Sequence, residues 1–471
     1  MFGRQQNNIF STMAQDNEFM SDLRKVFSTV EDNLLSQESD NDRISVYYSD
    51  DATISSGEGD DRISAYYSDN VNIDSGSGDD NIDTYHSENA NINSGSGDDD
   101  ISVYYSKNAN INSGSGSDRI SAYYSANVNI ASGSGDDRIS VYHSKGANIS
   151  SGSGKNDIDA YYTENTSITT DGDDSRVSVY HSKNTSTATG AGDDMHSMYY
   201  SDANQTDLGD GDNSASIYNT SNSGLTTGSG DDSLSVYYSD NVTADMGGGD
   251  NRGSVHYSDN TTVKTGNGND NFSVYDSDSI TMELSGGNNR IDINSSDNVS
   301  VSTGDGKDNI TITDTSGANI STGAGDDRIQ MNNFAGTAVI DGGDGNDTIV
   351  GRGEIVGGAG DDNISGSGVL TGGTGNDYIT LVNKMGTPDD VSGSTVNYSR
   401  GDGNDIISVD AENSTLNMND ISQDEVDISE TFNRVGEKVT TISMKDGSGS
   451  VTVSGPQRLS SITFSDSSII F

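Results

Sequence analysis

The chain has 471 residues, with 75 acidic against 24 basic residues and a formal net charge of −51. Such a charge repels phosphate backbones and anionic membrane surfaces, so we expect no nucleic-acid partner. The chain has no cysteine and no apolar run of about 18 residues, which excludes disulfides and a transmembrane segment.

The first predicted element is a helix within residues 1–36. Phe19, Leu23, Phe27, Val30 and Leu34 are spaced four, four, three and four residues apart, which places them on one face of a helix. One interpretation is a helical cap, because the end of a stacked β structure needs protection from edge pairing. The other is a subunit-docking element.

Residues 37–341 follow a nineteen-residue repeat, as in GSGDDNIDTYHSENANINS at 76–94. The corner glycine or its replacement recurs every nineteen residues from Gly57 to Gly323, without an insertion or deletion. A biased composition with a fixed period is typical of a stacked array rather than of a disordered chain. The prediction is an all-β fold, a right-handed parallel β-solenoid of nineteen-residue coils.

Each repeat predicts two short strands. Alternation in RISAYYS places Ile63, Ala65 and Tyr67 inward and Tyr66 outward. A second strand, VNID, follows a Ser-x-Asn turn in which Asn70 suits the left-handed conformation.

The turn that closes each coil carries the candidate chemistry. In SGSGDDNI, Gly76 and Gly78 allow a tight bend that turns its carbonyls toward one point, and Asp80 adds a carboxylate. Calcium binds mixed sets of carboxylate and carbonyl oxygens. Stacking places successive corners about 4.8 Å apart, so a cation between them would remove the repulsion between their carboxylates. We therefore expect multiple Ca²⁺ ions, and a solenoid that folds only with them.

The spacing changes near the end of the chain. Glycine pairs at 342, 357 and 372 are fifteen residues apart, and an insertion containing Pro388 precedes the last motif, RGDGNDIIS. The predicted domains are an N-terminal cap or docking segment at 1–36, the regular solenoid at 37–341, a β-roll with an insertion at 342–409 and a β-rich closing region at 410–471.

Three stretches in this last part carry a resemblance to a known family. GGDGNDTIV at 342, GGAGDDNIS at 357 and GGTGNDYIT at 372 match the nonapeptide G-G-x-G-x-D-x-U-x. The chain therefore resembles the RTX (repeats-in-toxin) proteins, calcium-binding proteins that Gram-negative bacteria export by type I secretion. The resemblance implies the type I secretion machinery as a partner, an uncleaved C-terminal export signal, and an extracellular or cell-surface location.

Carried over residue by residue, the resemblance implies one calcium carboxylate at each corner that has an aspartate. These are Asp61, Asp80, Asp99, Asp118, Asp137, Asp194, Asp232, Asp270, Asp308, Asp327, Asp347, Asp362, Asp377 and Asp405. The corners at Asn156, Ser175, Asn213, Asn251 and Asn289 depart from the family pattern because they lack the carboxylate. In the nineteen-residue region, the first glycine of the motif is usually Ser or Thr.

Twenty of the 22 tyrosines occupy two adjacent places of the repeat, those of Tyr66 and Tyr67, and His86, His143 and His181 take the second place. One interpretation is that like rings stack on neighbouring coils. The other is an exposed aromatic row that packs against a second copy of the chain, laterally or end to end, or against a surface polysaccharide.

The sequence favours a protein that is not an enzyme. It contains no HExxH zinc-protease motif, and no GxG turn extends to GxGxxG. The main hypothesis is a secreted calcium-binding structural protein of a matrix, surface layer, filament or adhesion. One alternative is an exported effector or toxin whose solenoid is a delivery module, and another is an enzyme with its activity in the loop between Asp377 and Gly401.

Overall fold

A computed structural model describes the chain. The residues that it describes are 34–36, 41–333, 336, 338–382 and 393–470. The chain divides into two compact units, Met1–Ser214 and Ala215–Phe471. Within each unit, strands of successive coils pair in parallel, which confirms the predicted all-β parallel β-solenoid.

In the first unit, each coil contributes one strand that leads from the acidic corner to the tyrosines and one that returns. In chain order the strands are β1 (Leu34–Ser36), β2 (Arg43–Tyr47), β3 (Thr53–Glu58), β4 (Arg62–Tyr66), β5 (Asn72–Ser77), β6 (Asn81–Tyr85), β7 (Asn91–Ser96), β8 (Asp100–Tyr104), β9 (Asn110–Ser115), β10 (Arg119–Tyr123), β11 (Asn129–Ser134), β12 (Arg138–Tyr142), β13 (Asn148–Ser150), β14 (Asp157–Tyr161), β15 (Ser167–Thr169), β16 (Arg176–Tyr180), β17 (Ser186–Ala188), β18 (Met195–Tyr199) and β19 (Gln205–Asp207). The even-numbered strands end at the tyrosines, and the odd-numbered strands return to the corner.

The strands from residue 214 onward continue the numbering. They are β20 (Ser214–Tyr218), β21 (Gly224–Thr226), β22 (Ser233–Tyr237), β23 (Thr243–Asp245), β24 (Arg252–His256), β25 (Thr262–Lys264), β26 (Asn271–Tyr275), β27 (Thr281–Glu283), β28 (Arg290–Asn294), β29 (Val299–Ser302), β30 (Asn309–Thr313), β31 (Ala318–Ser321), β32 (Arg328–Asn332), β33 (Ala338–Asp344), β34 (Thr348–Ala359), β35 (Asn363–Thr374), β36 (Tyr378–Leu381), β37 (Thr395–Tyr398), β38 (Asn404–Val409), β39 (Thr415–Met418), β40 (Val426–Phe432), β41 (Lys438–Met444), β42 (Ser450–Ser454), β43 (Ser461–Thr463) and β44 (Ser468–Ile470). The one helix in the described part of the chain is a 3-10 turn at Gln423–Glu425.

The core of each unit is a narrow stack of aliphatic side chains. Ile63, Ala65, Val71 and Ile73 are buried, as the alternation predicts. Ile63 pairs with Ile82 of the next coil, so each core side chain lies against its own equivalent. A slip of one residue would turn every apolar side chain outward, and the constant repeat length prevents that.

The register in the second unit records the change in repeat length. Ile291 pairs with Ile310, nineteen residues later. Ile320 pairs with Ile340 across one coil of twenty residues, and β34 then pairs with β35 at a spacing of fifteen. In residues 426–470, antiparallel pairs form: β40 with β41, β41 with β42, and β43 with β44.

The inward position predicted for Tyr67 is wrong. Strand β4 ends at Tyr66, and Tyr67 has a φ of 52°, in the left-handed region. The alternation therefore stops one residue earlier than predicted, and Tyr67 is 40% exposed. The left-handed turn predicted at Asn70 is confirmed, with a φ of 58°.

The predicted N-terminal helix lies outside the described residues, apart from its last apolar position. Leu34 belongs to strand β1, whose backbone pairs with β3. Nowhere in the described ranges is a helix long and apolar enough to cross a membrane.

Candidate functional site

The acidic corner lies between each returning strand and the next strand toward the tyrosines. Between β5 and β6, Gly76 and Gly78 have φ values of 99° and 123°. A Cβ atom at Gly78 would lie 2.2 Å from the carbonyl oxygen of Gly59 on the preceding coil. This glycine is therefore required by the close approach of successive corners as well as by its own backbone conformation.

The fourteen predicted calcium carboxylates, which we call the inner aspartates, are all buried at the corners, with at most 3% of each residue exposed. One carboxylate oxygen, Oδ1, accepts the backbone N–H of the inner residue one coil earlier. The N–H of Asp61 donates to Asp80 over 2.8 Å, and that of Asp80 donates to Asp99 over 2.8 Å. The fifteen-residue coils keep this contact, since the N–H of Asp347 donates to Asp362 over 2.8 Å.

The second carboxylate oxygen, Oδ2, is buried without a hydrogen-bond partner in eleven of the fourteen inner aspartates. These are Asp61, Asp80, Asp99, Asp118, Asp137, Asp194, Asp308, Asp327, Asp347, Asp362 and Asp377. Burying an ionised oxygen without a donor costs several kcal/mol on the order-of-magnitude scale for such groups. Each of these corners therefore needs a cation or a proton beside Oδ2.

The asparagine corners show what this second oxygen faces. The Oδ1 atom of Asn156 accepts the N–H of Asp137 over 3.1 Å, as an aspartate would. Its Nδ2 atom donates to the carbonyl oxygens of Gly152 and Gly154, over 3.3 and 3.0 Å. The amide of Asn213 makes the same pair of bonds to Gly209 and Gly211, over 3.1 and 3.0 Å. An aspartate in this position therefore directs Oδ2 at two carbonyl oxygens, so that three oxygens converge.

A hydroxyl group at the start of the corner contacts the inner carboxylate in some coils. Thr227 donates its hydroxyl to Oδ2 of Asp232 over 2.6 Å, and Thr265 donates to Oδ2 of Asp270. In the coil of Asp80, the hydroxyl of Ser75 instead donates to the carbonyl of Ser94 over 3.2 Å. The Ser75 hydroxyl also lies within reach of the Asp80 carboxyl, but it has one hydrogen, so the carboxylate oxygen has no donor while Ser75 donates to Ser94.

Burial raises the pKa of inner carboxyls in both units, such as those of Asp99 and Asp362, and neighbouring carboxylates raise it further. The pKa of Asp99 rises to about 6, mainly through burial. Burial raises the pKa of Asp362 to about 7 and that of Asp405 to about 8, and nearby inner aspartates add to both shifts. The corner therefore favours a neutral carboxyl or a carboxylate that is paired with a positive charge.

A second row of acidic residues, the outer aspartates, was missed in the sequence analysis. Asp79 and Asp98 each precede an inner aspartate and are exposed. The N–H of Asp98 donates to Oδ1 of Asp79 over 2.8 Å, and the N–H of Ser117 donates to Asp98 over 2.7 Å. The two rows thus accept N–H groups from opposite directions along the stack. The doubled Asp in GSGDDN was the available signal.

The donor set of a corner suits a hard cation. Within the described ranges, no three side chains of Asp, Glu, His or Cys converge on a point that could hold a metal ion. A metal at the corner would instead be held by one inner carboxylate, such as Asp80, and by glycine carbonyl oxygens. Sets of carboxylate and carbonyl oxygens are what calcium binds, with six to eight oxygens in flexible geometry.

The aromatic residues of the repeat form two columns of stacked rings in the first unit. In the first column, the centroids of Tyr123, Tyr142 and Tyr161 are 4.9 and 4.8 Å apart, with planes within 4° of parallel. In the second, His143 lies between Tyr124 and Tyr162, with centroids 4.7 Å from each. The predicted stacking of like rings, with histidine as a ring substitute, is confirmed. Ring faces cover one another, so the column presents ring edges and hydroxyl groups to solvent.

The comparisons with known proteins correct the family resemblance. A family model described as Toastrack DUF4097 matches residues 28–170, which is less than a third of the chain. Toastrack is a β-solenoid family and not an RTX repeat family, so the assignment to RTX proteins is wrong, and no comparison supports calcium binding. The motif matched the RTX nonapeptide because any stack of tight corners favours glycine and aspartate at these positions. Two glycines satisfy the bend and the close backbone contact, and the aspartate accepts the N–H of the coil before it. No curated protein matches the chain. Residues 28–170 are similar to the Toastrack family.

Proposed function

We propose that this protein is a non-enzymatic structural solenoid whose inner aspartates bind calcium ions, and that it acts outside the cell, where calcium is abundant. The observation that carries this proposal is the set of eleven buried carboxylate oxygens without a hydrogen-bond donor, in corners whose asparagine counterparts direct an amide at two backbone carbonyls. A divalent cation beside Oδ2 replaces the missing donor and compensates the charge of the stacked carboxylates.

The hydrogen bonds between consecutive coils support the structural role. Each inner side chain bonds to the backbone of the coil before it, so a cation bound there would tie consecutive coils together. Calcium sites of modest affinity, with dissociation constants of about 10⁻⁴–10⁻³ M, are typical of extracellular modules. A solenoid with such sites would be stable only where calcium is plentiful.

The test is calcium titration of the full chain after treatment with a chelator. We expect far-UV circular dichroism and thermal melting to show added β structure and a higher melting temperature in millimolar calcium, with magnesium much less effective because it demands a stricter octahedral site. Calorimetry should find on the order of ten ions per chain.

A matched pair of variants makes the test specific to the inner row. Asp99→Asn should remove one ion, because its amide satisfies the corner as the amide of Asn156 does. Asp98→Asn makes the same change of charge at the exposed neighbour and should leave the stoichiometry unchanged. Equal β content and equal melting temperature in chelator and in calcium would contradict the proposal.

A further inference from the structure

The inner corners fall into two kinds, and the two kinds are segregated along the chain. From Asp61 to Asp137, five consecutive corners each carry an aspartate with an unpartnered Oδ2. The same is true from Asp308 to Asp377. We call these stretches the first and second acidic blocks.

Between the two blocks in sequence, the inner position reads Asn156, Ser175, Asp194, Asn213, Asp232, Asn251, Asp270 and Asn289. Here neutral residues separate each carboxylate from the next in chain order. We call residues 150–300 the interrupted segment. Its first part belongs to the first unit and its second part to the second unit.

Most corners of the interrupted segment satisfy their own oxygens. In the first unit, the amides of Asn156 and Asn213 donate to the glycine carbonyls. In the second unit, Asn251 donates to Gly249 over 3.1 Å and Asn289 donates to Gly287 over 3.2 Å.

The two aspartates of the second unit's share of this segment are also supplied with a donor. The hydroxyl of Thr227 bonds to Asp232, and the hydroxyl of Thr265 bonds to Asp270. Two corners of the first unit are exceptions, because Oδ2 of Asp194 and the hydroxyl of Ser175 have no hydrogen-bond partner. One corner of eight, that of Asp194, thus resembles those of the acidic blocks.

We propose that the interrupted segment folds without cations, whereas at pH 8 the two acidic blocks fold only when cations occupy their corners. In the interrupted segment, an amide or a threonine hydroxyl places a partial positive charge beside the corner oxygens. In the acidic blocks, a calcium ion would place its charge there. Each unit then contains a preformed stretch of solenoid, its share of residues 150–300, from which its own acidic block is completed on calcium binding. This inference rests on the proposed function, and the experiment below separates the failure of one from the failure of the other.

The experiment is hydrogen exchange of the intact chain, followed by mass spectrometry, in chelator and in millimolar calcium. In chelator, peptides from residues 150–300 should exchange slowly, and peptides from residues 57–140 and 305–381 should exchange about tenfold or more faster. Calcium should slow exchange in both acidic blocks and change the interrupted segment little.

Two adjacent residues provide a matched pair of variants. Asn289 is an inner residue, buried, with its amide on Gly287. Asn288 is its exposed outer neighbour, and its Oδ1 accepts the N–H of Lys307 over 2.8 Å. Asn289→Asp should make exchange around residues 285–310 fast in chelator and slow in calcium. Asn288→Asp adds the same charge and should leave exchange in chelator as in the unchanged chain.

The outcomes separate the two proposals. Slow exchange of all three segments in chelator would overturn both the cation requirement and its segregation. Fast exchange of all three in chelator, with protection returning together in calcium, would keep the proposed function and overturn the inference. Equal behaviour of Asn289→Asp and Asn288→Asp in chelator would also overturn it.

Discussion

At the scale of single residues, the inner aspartate performs two tasks with its two oxygens. Oδ1 of Asp80 accepts the N–H of Asp61 over 2.8 Å, which fixes the side chain between two coils. Oδ2 is then held in a buried place without a donor. The hydrogen bond that fixes Oδ1 thus leaves Oδ2 in need of a positive charge. Asn156 has no such need, because its amide occupies the place of Oδ2 and donates to a carbonyl oxygen.

A proton can meet the same demand, which gives a pH prediction for the calcium-free chain. Burial raises the pKa of Asp347, Asp362 and Asp377 from an ordinary 3.8 to about 6, 7 and 6. The folded state therefore binds more protons than the unfolded state between about pH 4 and 7, so stability is present below that window and is lost as pH rises through it.

In chelator, the melting temperature should rise by roughly 5 °C or more when the pH is lowered from 8 to 6. In saturating calcium, the same change of pH should have little or the opposite effect, since protons then compete with the bound ions. Differential scanning calorimetry at both pH values measures this. If the melting temperature of the calcium-free chain instead falls when the pH is lowered from 8 to 6, the inner carboxylates are not held without a donor.

At the scale of the coil, the sequence predicts the strands and the corner well because the repeat has a fixed period. Alternation identified Ile63 and Ala65 as core residues, and the glycines located the tight turn. Alternation failed at Tyr67, because a left-handed residue with a φ of 52° ends the strand, and a non-glycine residue gives no signal of that conformation.

The direction of a hydroxyl hydrogen could not be predicted from sequence either. Thr227 uses its hydroxyl on Asp232 over 2.6 Å, whereas Thr303 uses its hydroxyl on the carbonyl of Thr322 over 3.1 Å. Both residues begin the same corner motif, and the Thr303 hydroxyl also reaches the carboxyl of Asp308, so the motif does not decide which acceptor the hydroxyl takes. For this reason the fourteen aspartates looked equivalent in sequence, whereas the structure separates them.

A corner glycine and a glycine of the Ser-x-Asn turn predict a sharp difference between substitutions. Gly78→Ala places a Cβ 2.2 Å from the carbonyl oxygen of Gly59 and forces alanine to a φ of 123°, so it should destabilise its coil by roughly 3 kcal/mol or more. Gly146→Asn introduces the residue found at Asn127 and Asn165, with a φ of 54° and 56°, and should change stability by less than about 0.5 kcal/mol. Chemical denaturation in calcium measures both, and equal costs would contradict this account of the corner.

At the scale of the whole chain, charge opposes any contact between copies. The formal charge is −51, and eleven calcium ions at the unpartnered inner carboxylates would bring 22 positive charges. Repulsion between copies extends over about 8 Å at physiological salt. Calcium should therefore weaken the repulsion while it completes the fold.

The second aromatic column is the surface most suited to a contact once repulsion falls. Tyr124 and Tyr162 are 52% and 51% exposed, and Tyr105 is 43% exposed. Their regular spacing presents a row of ring edges and hydroxyl groups that an equivalent row on another copy can match.

We expect association of copies when calcium is raised to the millimolar range, which sedimentation velocity at constant ionic strength would detect as a larger species. Replacement of Tyr105, Tyr124 and Tyr162 by Ser should reduce it, whereas Tyr378→Ser, an exposed tyrosine outside the columns, should not. A single monomeric species at high calcium for the unchanged chain would show that calcium acts only within each copy, and the aromatic columns would then serve stacking alone.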